Sequence, residues 1–188
     1  MNSVKILVCQ ELINNNIKPE QNKFTIALSG GADSTALLFI FLELKKEYDF
    51  ELSACYLNHS IRKESSIEQI KLKELCDNLK IGYYTETIDI PGLSVKNSTS
   101  IEIEARNQRY LFFEKSKIFF NSNYIVTGHH QDDQIETFLY RVFTGTGIDG
   151  IQSIPFQRDY FIRPLLKLKK QDLINYLNEN KITFFTDY

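Results

Sequence analysis

The chain has 188 residues, with 22 Lys+Arg against 24 Asp+Glu, a formal charge of −2, and 43% hydrophobic residues. A chain of this length hides roughly 70% of its unfolded surface and suits one domain. The balance reads as a soluble globular protein and excludes a polybasic chain that grips nucleic acid by bulk charge, while leaving a local basic patch open. The longest apolar run, residues 36–42, falls far short of the ~18 residues of a membrane span. An apolar patch at residues 4–9 is followed by Glu11 with no small-residue cleavage site, so no secretory signal is read. Cys9, Cys55 and Cys76 are widely spaced, form no C-x-x-C pair, and read as reduced thiols of a cytoplasmic protein.

In chain order, residues 4–14 suggest a first helix. Residues 23–28 (K-F-T-I-A-L) predict a strand and residues 34–48 an apolar helix. Residues 51–57 predict a second strand. Ser65 with Glu68 reads as a capping box opening a helix to about residue 80. Residues 82–88 form a third strand candidate. Thr99 with Glu102 is a second capping-box signal, opening a long helix to about residue 120. A short strand at 124–127, a helix at 131–143, a strand at 160–163 ended by Pro164, and a helix at 171–180 complete the pattern. This alternation predicts an α/β fold, a Rossmann-like parallel sheet with helices on both faces. Ligands of such sheets bind beyond the carboxyl ends of the strands at the switch point, and the unusual polar residues of the chain cluster in those segments.

The strongest local signal is S-G-G-A-D-S, comprising Ser29, Gly30, Gly31, Ala32, Asp33 and Ser34, set between a strand and a helix. Two glycines allow positive φ and close backbone approach. The serines add hydroxyls, and the helix N-terminus supplies positive partial charge. This is a phosphate cradle without a lysine, in which Asp33 has the wrong sign for phosphate and the right chemistry for Mg²⁺. The blander reading is a glycine-rich turn with Asp33 or Ser34 as the N-cap. No G-x-x-x-x-G-K-[ST] is present. The G-x-G-x-x-G at residues 145–150 follows a helix rather than a strand, so it reads as a helix C-cap and loop.

S-G-G-A-D-S resembles the pyrophosphatase loop of the N-type ATP pyrophosphatases, whose fold is of the adenine nucleotide alpha hydrolase type. Further segments resemble the tRNA(Ile)-lysidine synthetase family. Asn58, His59, Arg62, Glu64 and Ser65 match its N-H-x-x-R-x-E-S. Glu104-Ala105-Arg106 with Arg109-Tyr110 matches E-A-R-x-x-R-Y. Thr127 through Asp133, with Glu136-Thr137, matches T-x-H-H-x-D-D-x-x-E-T. Gly145, Gly147, Gly150 and Ile151 match the following glycine-rich loop, and Arg163-Pro164-Leu165-Leu166 matches R-P-L-L. The chain departs from the family at Thr144, where an Arg is usual. The resemblance implies one PP-loop domain over residues 1–188. Because the chain stops at Asp187-Tyr188, inside a D-x-[ST]-N-like segment, it also implies that the C-terminal tRNA-binding region is absent from this chain.

The resemblance implies a cytoplasmic ligase. It adenylates the wobble cytidine of an isoleucine tRNA with ATP and Mg²⁺, then joins free L-lysine at C2, releasing AMP and pyrophosphate. The anticodon loop and L-lysine are the implied partners, no membrane is involved, and a homodimer is compatible. Asp33 and Asp133 are the expected metal ligands. The catalytic group is Asp33, His129, Asp133 and Arg106, with His129 and Asp133 placed at i, i+4 on one helix face. Lysine must react as a neutral amine, only about one molecule in 2,500 at pH 7. The base is left among His129, Asp132, Asp133 and Glu136. Arg106 either pairs with Glu102 or reaches substrate or phosphate. Relatives place adenine near residues 54–58. Zinc at the His129-His130-Asp132-Asp133 run is disfavoured because ATP chemistry asks for a hard cation. Lys167, Lys169 and Lys170 read as solvated, with the tRNA backbone as an alternative partner. The rivals are a PP-loop tRNA thiolase, which commonly uses C-x-x-C pairs absent here, and a non-catalytic adenine-nucleotide-binding module.

Overall fold

Phe24, Thr25 and Ile26 are consecutive and all fully buried, which only a strand covered on both faces permits. They lie in β1 (Lys23–Ala27), at the centre of a six-stranded sheet. The computed structural model describes residues 3–61, 65–145 and 153–185. The other strands are β2 (Glu51–Asn58), β3 (Gly82–Thr87), β4 (Tyr124–Val126), β5 (Gln157–Arg158) and β6 (Phe161–Ile162). Their order across the sheet is β3-β2-β1-β4-β6-β5. Every pairing is parallel except β5 with β6. The order reverses at β1, so the switch point lies between the carboxyl ends of β1 and β4.

Alternation along β2 assigns the two faces. Leu52, Ala54 and Tyr56 join the main core with Val8 and Leu12 of α1 (Ser3–Asn14), Leu38 and Phe41 of α2 (Ala32–Lys45), Leu72 and Cys76 of α3 (Ser65–Asn78), and Leu173 and Leu177 of α7 (Lys170–Glu179). Cys55 and Leu57 turn to the other face and meet Phe112 of α5 (Ile101–Phe119). Phe24, Phe41 and Phe50 pack edge to face, with Phe24 5.3 Å from each of the other two rings. Thr25, buried in this core, satisfies its hydroxyl against Ser53 at 2.8 Å and against Ser122. No described helix is long and apolar enough to cross a membrane.

The expected α/β architecture is present, with four local differences. Residues 90–97, to which the sequence pattern assigns no element, form a helix, α4 (Ile90–Asn97), despite Pro91 and Gly92. Pro is compatible with the first turn, and the Asp89 carboxylate accepts the Gly92 N–H at 3.0 Å. The cap of α5 is Ser100, whose hydroxyl accepts from Ile103 N at 3.2 Å, rather than Thr99. Thr99 instead donates to buried Glu104 at 3.1 Å, which also accepts from Asn97 and Gln108. α2 begins at Ala32, with Gly31 as N-cap, so neither Asp33 nor Ser34 caps it. The sheet edge is a hairpin through Asp159, at φ +55°, whose strand β5 is exposed, polar and too short to leave an alternating pattern.

The three-ring cluster predicts that Phe41→Ala costs about 3–5 kcal/mol of unfolding free energy. Urea denaturation followed by circular dichroism measures it; a loss below about 1 kcal/mol would show that the cluster collapses around the gap.

Candidate active site

Loop 29–31 leaves β1 and enters α2, and its shape is fixed from inside. The Ser34 hydroxyl, 6% exposed, accepts the N–H of Ser29 and of Gly30, each at 3.1 Å, and meets the Ser29 hydroxyl at 2.9 Å. Ser34 is therefore a brace of the loop, while Ser29 is exposed and lines the neighbouring cleft. Thr35 donates to the Gly30 carbonyl at 3.1 Å, as does Phe185 N at 2.8 Å. Gly30 sits at φ +85°, and a Cβ there would meet the Phe185 ring at 2.3 Å. This position needs glycine twice over, for conformation and for space.

The loop after β4 closes against the same turn. A Cβ on Gly128 would stand 3.2 Å from both Asp33 C and Ser34 N, so the missing side chain lets two backbones meet. That approach brings buried His130 to Asp33, with Nε2 3.6 Å from Oδ2, an ion-pair distance too long for a hydrogen bond. On its other nitrogen, His130 Nδ1 lies 3.6 Å from Asp133 Oδ2, and that same carboxylate oxygen accepts the His130 backbone N–H at 2.7 Å. Asp133 thus sits in the first turn of α6 (Gln131–Phe143) and caps it.

His129 and Asp133 do not share a helix face, because α6 starts only at Gln131. His129 lies in the preceding loop, where its Nδ1 meets Thr127 Oγ1 at 2.9 Å and its ring lines the cleft. Enclosure by the surrounding walls, then Arg163, holds its pKa below the ordinary value, which favours the neutral imidazole. The residue joining the two carboxylates is His130, whose role the i, i+4 argument could not show because its backbone is extended.

The remaining candidates fall as follows. Asp132 accepts the Lys170 N–H at 3.2 Å, fastening the start of α7. Lys167 pairs with Glu11 at 2.7 Å. Glu136 is exposed on α6. Arg106 makes no ion pair with Glu102 among the described residues; it lies over the Tyr110 ring at 5.7 Å. Glu102 turns to its own amide and the Ser100 hydroxyl, which hold its carboxyl below the usual range. Arg62, Glu64, Gly147, Gly150, Ile151 and Asp187 lie outside the described residues. Thr144 ends α6 and donates to the Tyr140 carbonyl at 2.9 Å.

A cleft of about 520 Å³ opens at the carboxyl ends of β1 and β2, lined by Leu28, Ser29, Tyr56, Leu57, His59, Ile61, Glu68, Arg109, Phe113 and His129. Its size and mixed lining suit a nucleotide. Burial, then Arg109, keeps His59 below the ordinary histidine value. Asp33 Oδ1 is buried without a hydrogen-bond partner, a spare hard oxygen beside the phosphate loop. That donor fits Mg²⁺, which is commonly held by one or two carboxylates together with phosphate oxygens. Among the described residues no group of three or more His, Cys, Asp or Glu is placed to hold a metal, so the His129–Asp133 run does not build a closed zinc site.

Substituting Gly30 by Ala must displace Phe185 and strain the loop. The expected result is a lowered melting temperature, checked by thermal denaturation; an unchanged value would mean the loop tolerates a side chain. A second expectation concerns pH. Because the folded His59 pKa is depressed, its contribution is present above the unfolded value of 6.5 and is lost as pH falls through the lower folded value. Urea midpoints measured from pH 8 to pH 5 should decline less steeply below about 6.5 in His59→Gln than in the parent chain; superimposable profiles would remove His59 from the acid response.

A family model described as the PP-loop domain matches residues 3–188. The tRNA(Ile)-lysidine synthase of Clostridium acetobutylicum is 33% identical over 170 residues, covering 89% of this chain and 37% of the relative. That of Clostridium perfringens is 36% identical, covering 89% and 36%, and that of Petrotoga mobilis 33%, covering 88% and 53%. The chain thus spans about a third to a half of the length of these relatives. Among solved structures, a U34-tRNA thiolase from Methanococcus maripaludis superposes with a TM-score of 0.77 at 16% identity, over 97% of this chain and 65% of that one. An NH3-dependent NAD synthetase from Campylobacter jejuni gives 0.60 at 15%, over 95% and 72%; both likenesses show the fold alone. With the phosphate loop at the switch point and the family model spanning nearly its whole length, the chain belongs to the PP-loop family.

Proposed function

We propose that this chain is the adenylating part of a tRNA(Ile)-lysidine synthetase. The observation that carries the reading is the meeting, at one switch point, of the Ser29–Ser34 loop with the His129–Asp133 turn, in a chain resembling those synthetases along this whole region. In this reading ATP occupies the 520 Å³ cleft, with adenine against the end of β2 and phosphates toward Ser29. The cytosine C2 oxygen attacks the α-phosphate and pyrophosphate leaves. The amine of free lysine then attacks C2 and AMP departs.

The side chains suit both halves. Negative charge gathers on the phosphates in the first, where backbone N–H groups of the loop and the N-terminus of α2 oppose it. Mg²⁺, held by Asp33, supplies charge neutralisation of the phosphates when bound, and Asp133 completes the acidic group on the far side of His130. The second half needs a neutral amine. Arg109 and Arg163 disfavour an ammonium near His129, and a neutral His129 is able to take its proton.

The thiolase alternative lacks support from the cysteines. Burial pushes the Cys55 and Cys76 thiols up to about 12, Cys55 although it lines the cleft, and Cys9, which contacts Tyr48, is not part of the cleft lining. Mass spectrometry of isoleucine tRNA incubated with ATP, labelled lysine and the full-length enzyme tests the reading: a lysine adduct supports it, and a sulfur mass shift selects the thiolase. In the same assay Asp33→Ala should cut pyrophosphate release by at least about 100-fold; turnover near the parent rate would remove the metal role of Asp33.

A further inference from the structure

Two backbone N–H groups of the phosphate loop are already taken, since those of Ser29 and Gly30 both donate to the buried Ser34 hydroxyl. The next along the chain, that of Gly31, finds no acceptor among the described residues. Its direction is nevertheless fixed. The Gly30 carbonyl and the Gly31 N–H belong to one trans peptide plane and point opposite ways. That carbonyl is held by two donors, the buried Thr35 hydroxyl at 3.1 Å and the Phe185 N–H at 2.8 Å. The Gly31 N–H is therefore aimed away from Thr35 and Phe185. Beside Gly31 stands the hydroxyl of Ser29, a residue of the cleft wall. A glycine on each side makes rotation of this peptide cheap, so it needs holding from outside. A flip would turn the carbonyl oxygen outward, where it would repel an anion.

Thr35 lies in the first two turns of α2, but Phe185 comes from a distant part of the chain. It belongs to residues 182–185, which follow α7. Ile182 N donates to the Leu177 carbonyl at 2.9 Å, and Ile182, Phe184 and Phe185 pack on the main core. The half-buried Phe185 ring lies against Gly30, with Lys71 Nζ 5.9 Å from its centroid. Phe185 is not among the residues lining the cleft.

We infer that Phe185 is a positioning residue for the phosphate loop. Its ring anchors residues 182–185, so that its N–H holds the Gly30 carbonyl inward and turns the Gly31 N–H toward the phosphates of ATP. This rests on the reading above that the phosphates lie toward this loop. The segment after α7 thereby sets affinity for the phosphates without touching the nucleotide.

The test is calorimetry of Mg·ATP and of adenosine with this chain. Phe185→Ala keeps the N–H but removes its anchor, Phe185→Leu keeps an apolar anchor, and Thr35→Val removes the other donor at similar shape. Phe185→Ala should weaken Mg·ATP roughly tenfold, Thr35→Val should weaken it in the same direction, and both should bind adenosine as the parent does. Phe185→Leu should bind both ligands as the parent does. Adenosine distinguishes positioning from damage to the fold, which would weaken both ligands alike. Parent-like affinity of Phe185→Ala for Mg·ATP would overturn the inference, and so would equal losses for Mg·ATP and adenosine. A parent chain that binds Mg·ATP no more tightly than adenosine would overturn the placement of the phosphates and the inference with it. A parent that discriminates, with a Phe185→Ala variant that discriminates equally, overturns the inference alone. Lysine transfer is decided separately, by the adduct assay.

Discussion

The site depends on one close approach, that of Gly128 to the backbone of Asp33 and Ser34. These residues are far apart in sequence, and only the reversal of strand order between β1 and β4 makes their loops neighbours. A Cβ placed on Gly128 would stand 3.2 Å from two backbone atoms, which would have to give by a few tenths of an ångström to accept it. The contact sets how far β4's loop can advance, and that depth places His130 against Asp33. The helix that follows is then pinned by the hydrogen bond from His130 N to Asp133. Two carboxylates on different elements thus have positions fixed by one buried imidazole and one missing Cβ.

The sequence carries much of this frame because the β-rich runs and helical patterns agree with burial. β1 and β2 read as strands since both faces are covered, and the phosphate loop is visible because two glycines and two serines fall between a strand and a helix. What stayed hidden was set by tertiary contact. α4 carries Pro91 and Gly92, and needs Asp89 as cap to outweigh them. β5 is two exposed polar residues held only by its pairing with β6. Thr99 has the right residue type for a cap, yet buried Glu104 draws its hydroxyl away and leaves the cap to Ser100.

At the site, residue type was legible and direction was not. Ser34 looks like a ligand donor by composition, but its hydroxyl accepts two loop amides and is spent on shape. Counting i, i+4 joined His129 to Asp133 by assuming a helix that starts two residues later. Arg158 belongs to no local pattern, yet it lines one cavity with Arg106 and Arg109 of α5, Arg141 of α6 and Arg163. Phe185 likewise shows no local signal for its place over Gly30.

A near-neutral total charge conceals a sharp division across this site. Asp33, Asp132 and Asp133 gather around His130, whereas His129, the residue before it, feels Arg163 most, then Asp133, then Arg109. The two imidazoles therefore have different charged neighbours although they are adjacent in the chain. A phosphate placed between them meets hard-cation chemistry on one side and guanidinium donors on the other. In the proposed reaction, the first step builds negative charge on phosphate and the second must strip a proton from an ammonium. The guanidinium side favours both, by opposing anionic charge and by making a bound ammonium costly. One arrangement of fixed charges thereby serves two chemically different steps without any side chain having to move between them.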